Sequence, residues 1–255
     1  MIGNDVQRHR WHARRRWAAW SMLLVVVALA AQPVTVAAAS GTHIASSRNW
    51  AGYMVEADAV TLIHAAWKVP SVVHTSGDAF SSSWVGIGGT NSDTLIQAGT
   101  TQYIENGTPQ YYAWIETLPQ TAELIAPQKL RVRPDDAVGV TIRNVGGDQW
   151  QIKIENASAG QQLTRSVTYA SCKCSAEWIE EEPTIVTDSG QGLATLANFG
   201  SVKFSDAYAK VGSDTQTLRQ LSVTPITLKN GGGQALATPS DLSSSGNNFT
   251  VKYGS

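Results

Sequence analysis

Carboxylates are concentrated in residues 175–183, a segment that otherwise has the composition of a β-strand and that contains four glutamates. A second polar interruption is Gln97, which lies in the apolar run of residues 95–99. A carboxylate can act as a general base toward water, and a positioned amide N–H can stabilise the oxyanion that forms when a carbonyl carbon is attacked. The two segments therefore predict hydrolytic chemistry by a carboxylate and an amide, a pair that needs neither a metal nor a cofactor.

Strand alternation separates the four glutamates into two pairs. Successive side chains of a strand point to opposite faces, so Glu177 and Glu181 share one face while Glu180 and Glu182 share the other. We predict that Glu180 and Glu182 are solvated and that the catalytic carboxylate belongs to Glu177 or Glu181. The alternation alone does not choose between these two.

The common hydrolase and metal-site motifs are missing from the sequence. There is no His-Glu-x-x-His and no Gly-x-Ser-x-Gly, and His43, His64 and His74 do not have the spacing of metal ligands. A Ser-His-Asp triad is not excluded by motif alone. Residues 86–89 are rich in glycine, but no helical pattern follows them, so they predict a turn rather than a phosphate-binding loop. No metal site is expected.

The N-terminal residues differ from the rest of the chain. Five arginines precede the short apolar run of residues 22–31, and three alanines at 37–39 follow it, an order typical of a secretory signal peptide. We predict a signal peptide at residues 1–39, a short N-terminal extension at 40–48 and one domain at 49–255, secreted and without stable membrane association. The alternative is an uncleaved anchor, which the short run disfavours because a membrane span needs about 20 apolar residues.

Composition favours a globular all-β protein. Hydrophobic residues make up 42% of the chain and charged residues 15%, while glycine is plentiful with 22 residues. Without the signal peptide, the formal count falls from 19 basic and 20 acidic residues to 14 and 19, a net charge near −5. A mildly acidic protein without a basic patch is not expected to bind nucleic acid.

Period-two alternation is clearest in the middle of the chain. Residues 138–143 and 150–155 alternate between apolar and polar side chains, and a Gly-Gly-Asp turn at 146–148 separates them. This pattern predicts a hairpin with one buried face and one wet face. Strand patterns recur as far as residue 253, including residues 218–223. We therefore predict a single antiparallel β-sandwich of about a dozen strands.

The two cysteines, Cys172 and Cys174, are separated by one residue. In an extended strand their side chains would lie on the same side, roughly 7 Å apart, which is too far for a disulfide. A local bridge across a bulge is the alternative.

Five motifs occur in an order and spacing that resemble the glutamic peptidases, also called eqolisins. The resemblance covers essentially the whole mature chain. It implies a lectin-like (concanavalin-like) jelly roll of two curved antiparallel sheets and an acid endopeptidase that acts on polypeptide substrates without a cofactor. We also expect a monomer. The motifs are Asn-Trp-Ala-Gly-Tyr at 49–53, Trp-Val-Gly-Ile at 84–87, Leu-Ile-Gln-Ala-Gly at 95–99, the aromatic run at 111–119 and Ala-Glu-Trp-Ile-Glu-Glu at 176–181.

The resemblance also implies which residues are catalytic. The catalytic glutamine of the family falls on Gln97, and its catalytic glutamate falls on Glu181. In the implied mechanism, Glu181 removes a proton from water, the Gln97 amide stabilises the oxyanion, and Glu181 passes the proton to the leaving nitrogen. Only this resemblance selects Glu181 over Glu177.

Supporting roles follow from the same motifs. The two active-site tryptophans of the family match Trp50 and Trp84, and its supporting glutamate, in an aromatic strand before a proline, matches Glu116. Glu177 remains a further candidate on the face of Glu181.

The sequence departs from the family pattern near the site. Gly88 and Gly89 follow Ile87 where the family has Asp-Gly, Tyr112 stands where some members have Asp, and Leu118 replaces a Tyr. We expect these changes to shift the pH optimum or to narrow the cleft.

Two other functions remain open at this point. A carbohydrate-binding or glycoside-hydrolysing sandwich would use the nine tryptophans for stacking on sugars. A retaining glycosidase, however, needs carboxyl groups about 5–5.5 Å apart, less than half the separation of Glu177 and Glu181 along one strand. The other alternative is a catalytically silent homologue.

Overall fold

The computed structural model describes residues 35–37, 44–73, 77–187 and 190–254. The predicted signal peptide lies outside the described residues apart from 35–37, and so does its predicted cleavage site. Among the residues that are described, no helix is long and apolar enough to cross a membrane.

The described chain consists of strands and one single-turn helix. The strands are β1 (Thr35–Ala37), β2 (Ile44–Ser47), β3 (Trp50–Glu56), β4 (Val60–Lys68), β5 (Ala79–Gly88), β6 (Leu95–Glu105), β7 (Thr108–Thr117), β8 (Glu123–Leu124), β9 (Ala137–Gly146), β10 (Gln149–Asn156), β11 (Gln161–Thr168), β12 (Ser175–Glu181), β13 (Thr184–Thr187), β14 (Gly190–Leu193), β15 (Ser201–Val211), β16 (Asp214–Thr217), β17 (Thr224–Lys229), β18 (Ala235–Pro239) and β19 (Phe249–Tyr253), and the helix is α1 (Leu218–Leu221).

The strands form two packed sheets. The first sheet has the order β1-β2-β17-β3-β12-β5-β6-β7-β8, in which only β2 and β17 are parallel neighbours. The second sheet has the order β11-β10-β9-β4-β15-β16 and is antiparallel throughout. Strands β18 and β19 link β17 to the beginning of β15, and β13 pairs with β14 in a separate hairpin. The predicted all-β antiparallel sandwich is therefore confirmed.

The main core lies between the two sheets. In β9 and β10, the inward side chains are almost completely buried and alternate with more exposed ones, so the predicted hairpin is confirmed. The first sheet differs because β5, β6 and β12 are buried on both faces. A second apolar cluster, which includes Trp50, Trp84 and Trp114, covers the face that points away from the second sheet, called here the outer face.

The prediction of a strand at residues 218–223 was wrong, because α1 occupies this position. The backbone N–H of Thr217 donates to the side-chain oxygen of Gln220, which satisfies a donor that a helix start leaves free. Ser222 then ends the turn in the left-handed region, with φ of 56°. Local capping therefore decided the backbone conformation of this segment.

The two cysteines form a disulfide, so the expectation that they lie too far apart was wrong. Lys173 between them has φ of 56° and breaks the extended conformation on which the 7 Å estimate rested, which brings the Cα atoms to 5.1 Å. The bridge precedes β12, where the carbonyl groups of Lys173 and Cys174 accept hydrogen bonds from Val60 and Ala57.

Replacing both cysteines by serine is expected to leave the fold and the activity intact. A disulfide stabilises mainly by restricting the unfolded chain, and a ring this short restricts it little, so the loss is no more than about 1.5 kcal/mol. Thermal unfolding should show a cooperative transition with Tm lowered by no more than about 6 °C. Loss of cooperative unfolding in the double variant would contradict this view.

Candidate active site

Strand register places the candidate site residues of the first sheet in three rows on its outer face. Each row runs across β3, β12, β5, β6 and β7, because residues that are register partners on neighbouring strands share a face. The Glu181 row contains Trp50, Glu181, Ser82, Thr101 and Tyr112, the Trp84 row contains Gly52, Ile179, Trp84, Gly99 and Trp114, and the Gln97 row contains Met54, Glu177, Gly86, Gln97 and Glu116.

Glu181 is fully buried and is held by three N–H donors. Its Oε1 accepts from Asn49 Nδ2 at 3.0 Å and from Trp50 Nε1 at 3.3 Å, and its Oε2 accepts from Trp84 Nε1 at 2.8 Å. Burial raises the pKa of Glu181 well above its ordinary value; the three donors oppose this shift and the nearby Glu116 carboxyl adds to it. A carboxylate has about four acceptor positions, so one remains for a water or a substrate.

Gln97 is also fully buried, and it is bound to Glu116. The Gln97 Nε2 atom donates to Glu116 Oε2 at 2.5 Å, while Gln97 Oε1 has no partner. Burial raises the pKa of Glu116 to about 8, against the opposing effect of the Gln97 hydrogen bond. No hydrogen bond joins Gln97 directly to Glu181 among the described residues; Gln97 is bonded to Glu116, whose carboxyl group, when ionised, raises the pKa of Glu181.

Glu177 lies in the same row as Gln97, with Gly86 between them. It is fully buried, and its Oε1 accepts a hydrogen bond from Thr90 Oγ1 at 3.1 Å. Burial raises the pKa of Glu177 well above its ordinary value, and the opposing effects come from Ser175 and Thr90. Register alone therefore does not separate Glu177 from Glu181, whereas the three N–H donors and the nearby Glu116 carboxyl distinguish Glu181.

The outer face carries most of the unsatisfied polar atoms of the described chain. In the described chain, eight buried side-chain nitrogen or oxygen atoms have no hydrogen-bond partner, although native proteins leave few such atoms. Groups of this kind are explained when a ligand or a water completes them. Five of the eight lie in the three rows, namely Ser82 Oγ, Gln97 Oε1, Trp114 Nε1, Glu116 Oε1 and Glu177 Oε2.

Two glycines make room for the Trp84 side chain. A Cβ atom on Gly86 would lie 2.9 Å from the Trp84 ring, and one on Gly99 would lie 2.6 Å from Trp84 Cβ and 2.1 Å from the Ser83 carbonyl oxygen. Because Trp84 donates to Glu181, any side chain at either position would disturb the donors around the carboxylate.

The prediction that Glu180 is solvated was wrong. Glu180 faces the main core and is fully buried, where Ser83 Oγ donates to it at 2.5 Å and Gln102 Nε2 at 3.3 Å. Burial raises the pKa of Glu180 to about 7. Glu182 is half-buried, and burial raises its pKa to about 7 against the opposing charge of Arg48. Ser81 and Ser83 lie two residues apart on β5 and therefore on one face, and they were the available signal for a polar inner face.

Asn49 is a member of the candidate site that sequence reasoning missed. It belonged to one of the motifs but was given no role, and only the structure shows its amide against Glu181.

The structure also shows how the residues that depart from the family pattern are accommodated. Gly88 has φ of 93°, and a Cβ there would lie 2.3 Å from the Thr94 carbonyl oxygen, so this backbone has no place for an aspartate. Tyr112 stacks on Tyr103, and Leu118 packs against the outer cluster.

Comparison with known proteins identifies the family of this chain. The profile described as the Peptidase A4 family matches residues 48–253. Aspergillopepsin-2 of Aspergillus niger is 29% identical over 231 residues, which cover 81% of this chain and 78% of that protein.

Solved structures show the same fold. A scytalido-glutamic peptidase with a transition state analog inhibitor superposes with a TM-score of 0.70 at 22% identity, covering 81% of this chain and 98% of that chain. The aspergilloglutamic peptidase from Aspergillus niger gives a TM-score of 0.58 at 28% identity, covering 69% of this chain and 99% of that chain. The chain therefore belongs to the peptidase A4 family, the glutamic peptidases or eqolisins, and is a glutamic endopeptidase.

Proposed function

We propose that Glu181 and Gln97 are the catalytic pair of a secreted endopeptidase that cleaves polypeptides on the acid side of neutrality. The observation that carries this proposal is the environment of Glu181. Three N–H donors fix the carboxylate, one acceptor position stays open, and unsatisfied polar atoms surround it on the outer face. A fixed carboxylate beside incompletely bonded amide groups suits proton transfer and oxyanion stabilisation.

Glu181 is the general base of the proposed reaction. Its ionised form takes a proton from a water, which attacks the scissile carbonyl carbon; the C–N bond then breaks as Glu181 returns the proton to the leaving nitrogen. Since the base must be ionised and burial raises its pKa, the acid limb of kcat/KM is expected above the ordinary carboxyl range.

Gln97 supplies the oxyanion donor, and Glu116 positions it. An amide nitrogen carries two N–H groups, so donation of one to Glu116 leaves the other for the developing negative charge. Because the pKa of Glu116 is about 8, this group is neutral at acid pH and adds no negative charge beside the oxyanion. Gln97 and Glu116 thus act as one unit, in which Glu116 is a positioning residue.

Substrate must displace an apolar cover to reach these groups. Glu181 and Gln97 have no exposed surface, and partly exposed side chains, including Tyr112, Leu118 and Ile185, pack against the outer cluster. An extended polypeptide that carries apolar side chains can replace these contacts with its own. This requirement fits an endopeptidase better than an enzyme for a hydrophilic sugar.

Gln97→Ala is expected to lower kcat by about 10²–10³-fold, the usual effect of removing one oxyanion donor. The variant should fold, because Gln97 makes one side-chain hydrogen bond and Glu116 is neutral at acid pH. The measurement is the cleavage of a denatured protein at graded pH from about 3 to 7, with the wild type in parallel. Wild-type protein without cleavage at any pH would instead identify a catalytically silent homologue, and equal cleavage by both proteins would remove Gln97 from the mechanism.

A further inference from the structure

Trp114 differs from the other tryptophans of the described chain in the hydrogen bonding of its indole N–H group. Six tryptophans lie in this part of the chain, and the indole N–H groups of five of them donate hydrogen bonds. The five partners are Glu181 for both Trp50 and Trp84, Thr100 for Trp67, Tyr169 for Trp150 and His64 for Trp178. The indole N–H of Trp114 has no partner although the side chain is completely buried.

The position of Trp114 connects this unsatisfied donor to the site. Trp114 lies in the same row as Trp84, separated from it by Gly99, and two residues before Glu116 on the same face of β7. Its other neighbour in the row is Leu124 of β8. Leu124, Leu118 and Tyr112 are among the partly exposed side chains that pack against the cluster containing Trp114. A substrate that displaces this cover therefore meets Trp114 next to Gln97 and Glu116.

A buried donor without an acceptor destabilises the unliganded protein. A phenylalanine at this position would fill most of the same space and leave no unsatisfied group. The unpaired N–H group thus destabilises the folded protein, and an acceptor that arrives with a ligand would remove this destabilisation. An extended polypeptide offers a main-chain carbonyl oxygen as a hydrogen-bond acceptor at every residue.

We propose that Trp114 Nε1 donates a hydrogen bond to a main-chain carbonyl oxygen of the bound polypeptide, close to the scissile bond and on the Gln97 side of the cleft. This inference rests on the proposed function. Trp114 is a substrate-binding residue that fixes the register of the chain over the catalytic pair, and it takes no part in proton transfer.

The first test compares Trp114→Phe with Trp67→Phe. Both replacements remove the same atoms from a buried indole, but only Trp67→Phe breaks a hydrogen bond of the free protein, the one to Thr100 Oγ1 at 3.0 Å. Trp67→Phe should therefore be the less stable variant in denaturant unfolding and should keep the wild-type kcat/KM. Trp114→Phe should be the more stable of the two, with kcat/KM lowered by about 3- to 10-fold, the usual effect of losing one hydrogen bond.

The second test locates the bound carbonyl group. A series of oligopeptide substrates, each with one main-chain carbonyl oxygen replaced by sulfur, weakens one acceptor at a time. For the wild type, sulfur at the bound position should lower kcat/KM. For Trp114→Phe, sulfur at the same position should lower kcat/KM no further. Sulfur at any other position should lower kcat/KM of both proteins by the same factor. A double-mutant cycle of this kind separates a direct hydrogen bond from a change in packing.

The possible outcomes are distinct. The inference is overturned if Trp114→Phe keeps the wild-type kcat/KM. It is also overturned if the loss of kcat/KM from Trp114→Phe adds to the loss from sulfur at every position of the substrate. Neither result affects the assignment of the catalytic pair. Failure of the wild type to cleave any peptide overturns the proposed function itself.

Discussion

Replacing Glu181 by glutamine is expected to lower kcat by about 10³–10⁴-fold, because the change removes the only group proposed to move the proton from water to the leaving nitrogen. Glutamine keeps the shape of glutamate, but its amide nitrogen cannot accept hydrogen bonds. In the wild type, one carboxylate oxygen accepts from Trp84 and the other accepts from Asn49 and Trp50. The donors that face the new amide nitrogen therefore lose their acceptor. The loss should appear in kcat measured with an oligopeptide substrate, with far-UV circular dichroism unchanged.

Glu177→Gln is the matched control for this experiment. Glu177 lies four residues earlier on the same strand and the same face, is also completely buried, and has one unsatisfied oxygen. It lacks the three N–H donors that fix Glu181, so Glu177→Gln should retain most of the activity. If instead Glu177→Gln is inactive and Glu181→Gln remains active, the base has been assigned to the wrong glutamate.

The stability of the folded protein is expected to fall as the pH rises from about 4.5 to about 7, and Glu180 is the residue in which this effect is easiest to isolate. Its pKa of about 7 in the folded protein lies above the ordinary value of 4.5 because of burial. The folded state thus holds the proton more tightly than the unfolded state does. The resulting stability is fully present below about pH 4.5, is lost as the pH rises through 7, and amounts to about 3 kcal/mol.

Glu180→Gln should remove this pH dependence while keeping the contacts with Ser83 and Gln102. The free energy of unfolding, measured in denaturant from pH 4 to 8, should therefore fall less steeply for the variant, which becomes more stable than the wild type at neutral pH by up to about 3 kcal/mol. Glu56→Gln makes the same change of charge at an exposed position and serves as the control. Parallel stability curves for the wild type and Glu180→Gln would show that Glu180 does not control the pH dependence.

The sandwich and much of the site could be predicted because strand periodicity is a local property. Alternation in β9 and β10 gave the hairpin, and the four-residue spacing of Glu177 and Glu181 placed both on one face, as observed. The contacts of Glu181 with Asn49 and Trp84 could not be predicted from spacing, since they depend on how β3, β12 and β5 align. The register of neighbouring strands is set by long-range pairing, which no short segment specifies.

The errors at Glu180 and at the cysteines have a common physical origin. Strands of antiparallel sheets often have one wet face, and short segments of strand composition usually stay extended, but both tendencies are averages over many proteins. The first sheet is covered on both sides, so the face opposite Glu181 is also a core, in which Ser83 and Gln102 satisfy Glu180. At Lys173 a single residue with positive φ turned the chain and brought two thiols together.

The two glycines beside Trp84 have a consequence for attempts to change which peptide bonds this enzyme cleaves. Side chains added at Gly86 or Gly99 would point to the outer face, where we propose that the substrate binds, so both positions look attractive for reshaping the cleft. The contacts of 2.9 Å or less that a Cβ would make there mean that such libraries would yield misfolded or inactive proteins. Diversity is better placed at Tyr112, Leu118 and Leu124, whose partial exposure allows new side chains without moving Trp84.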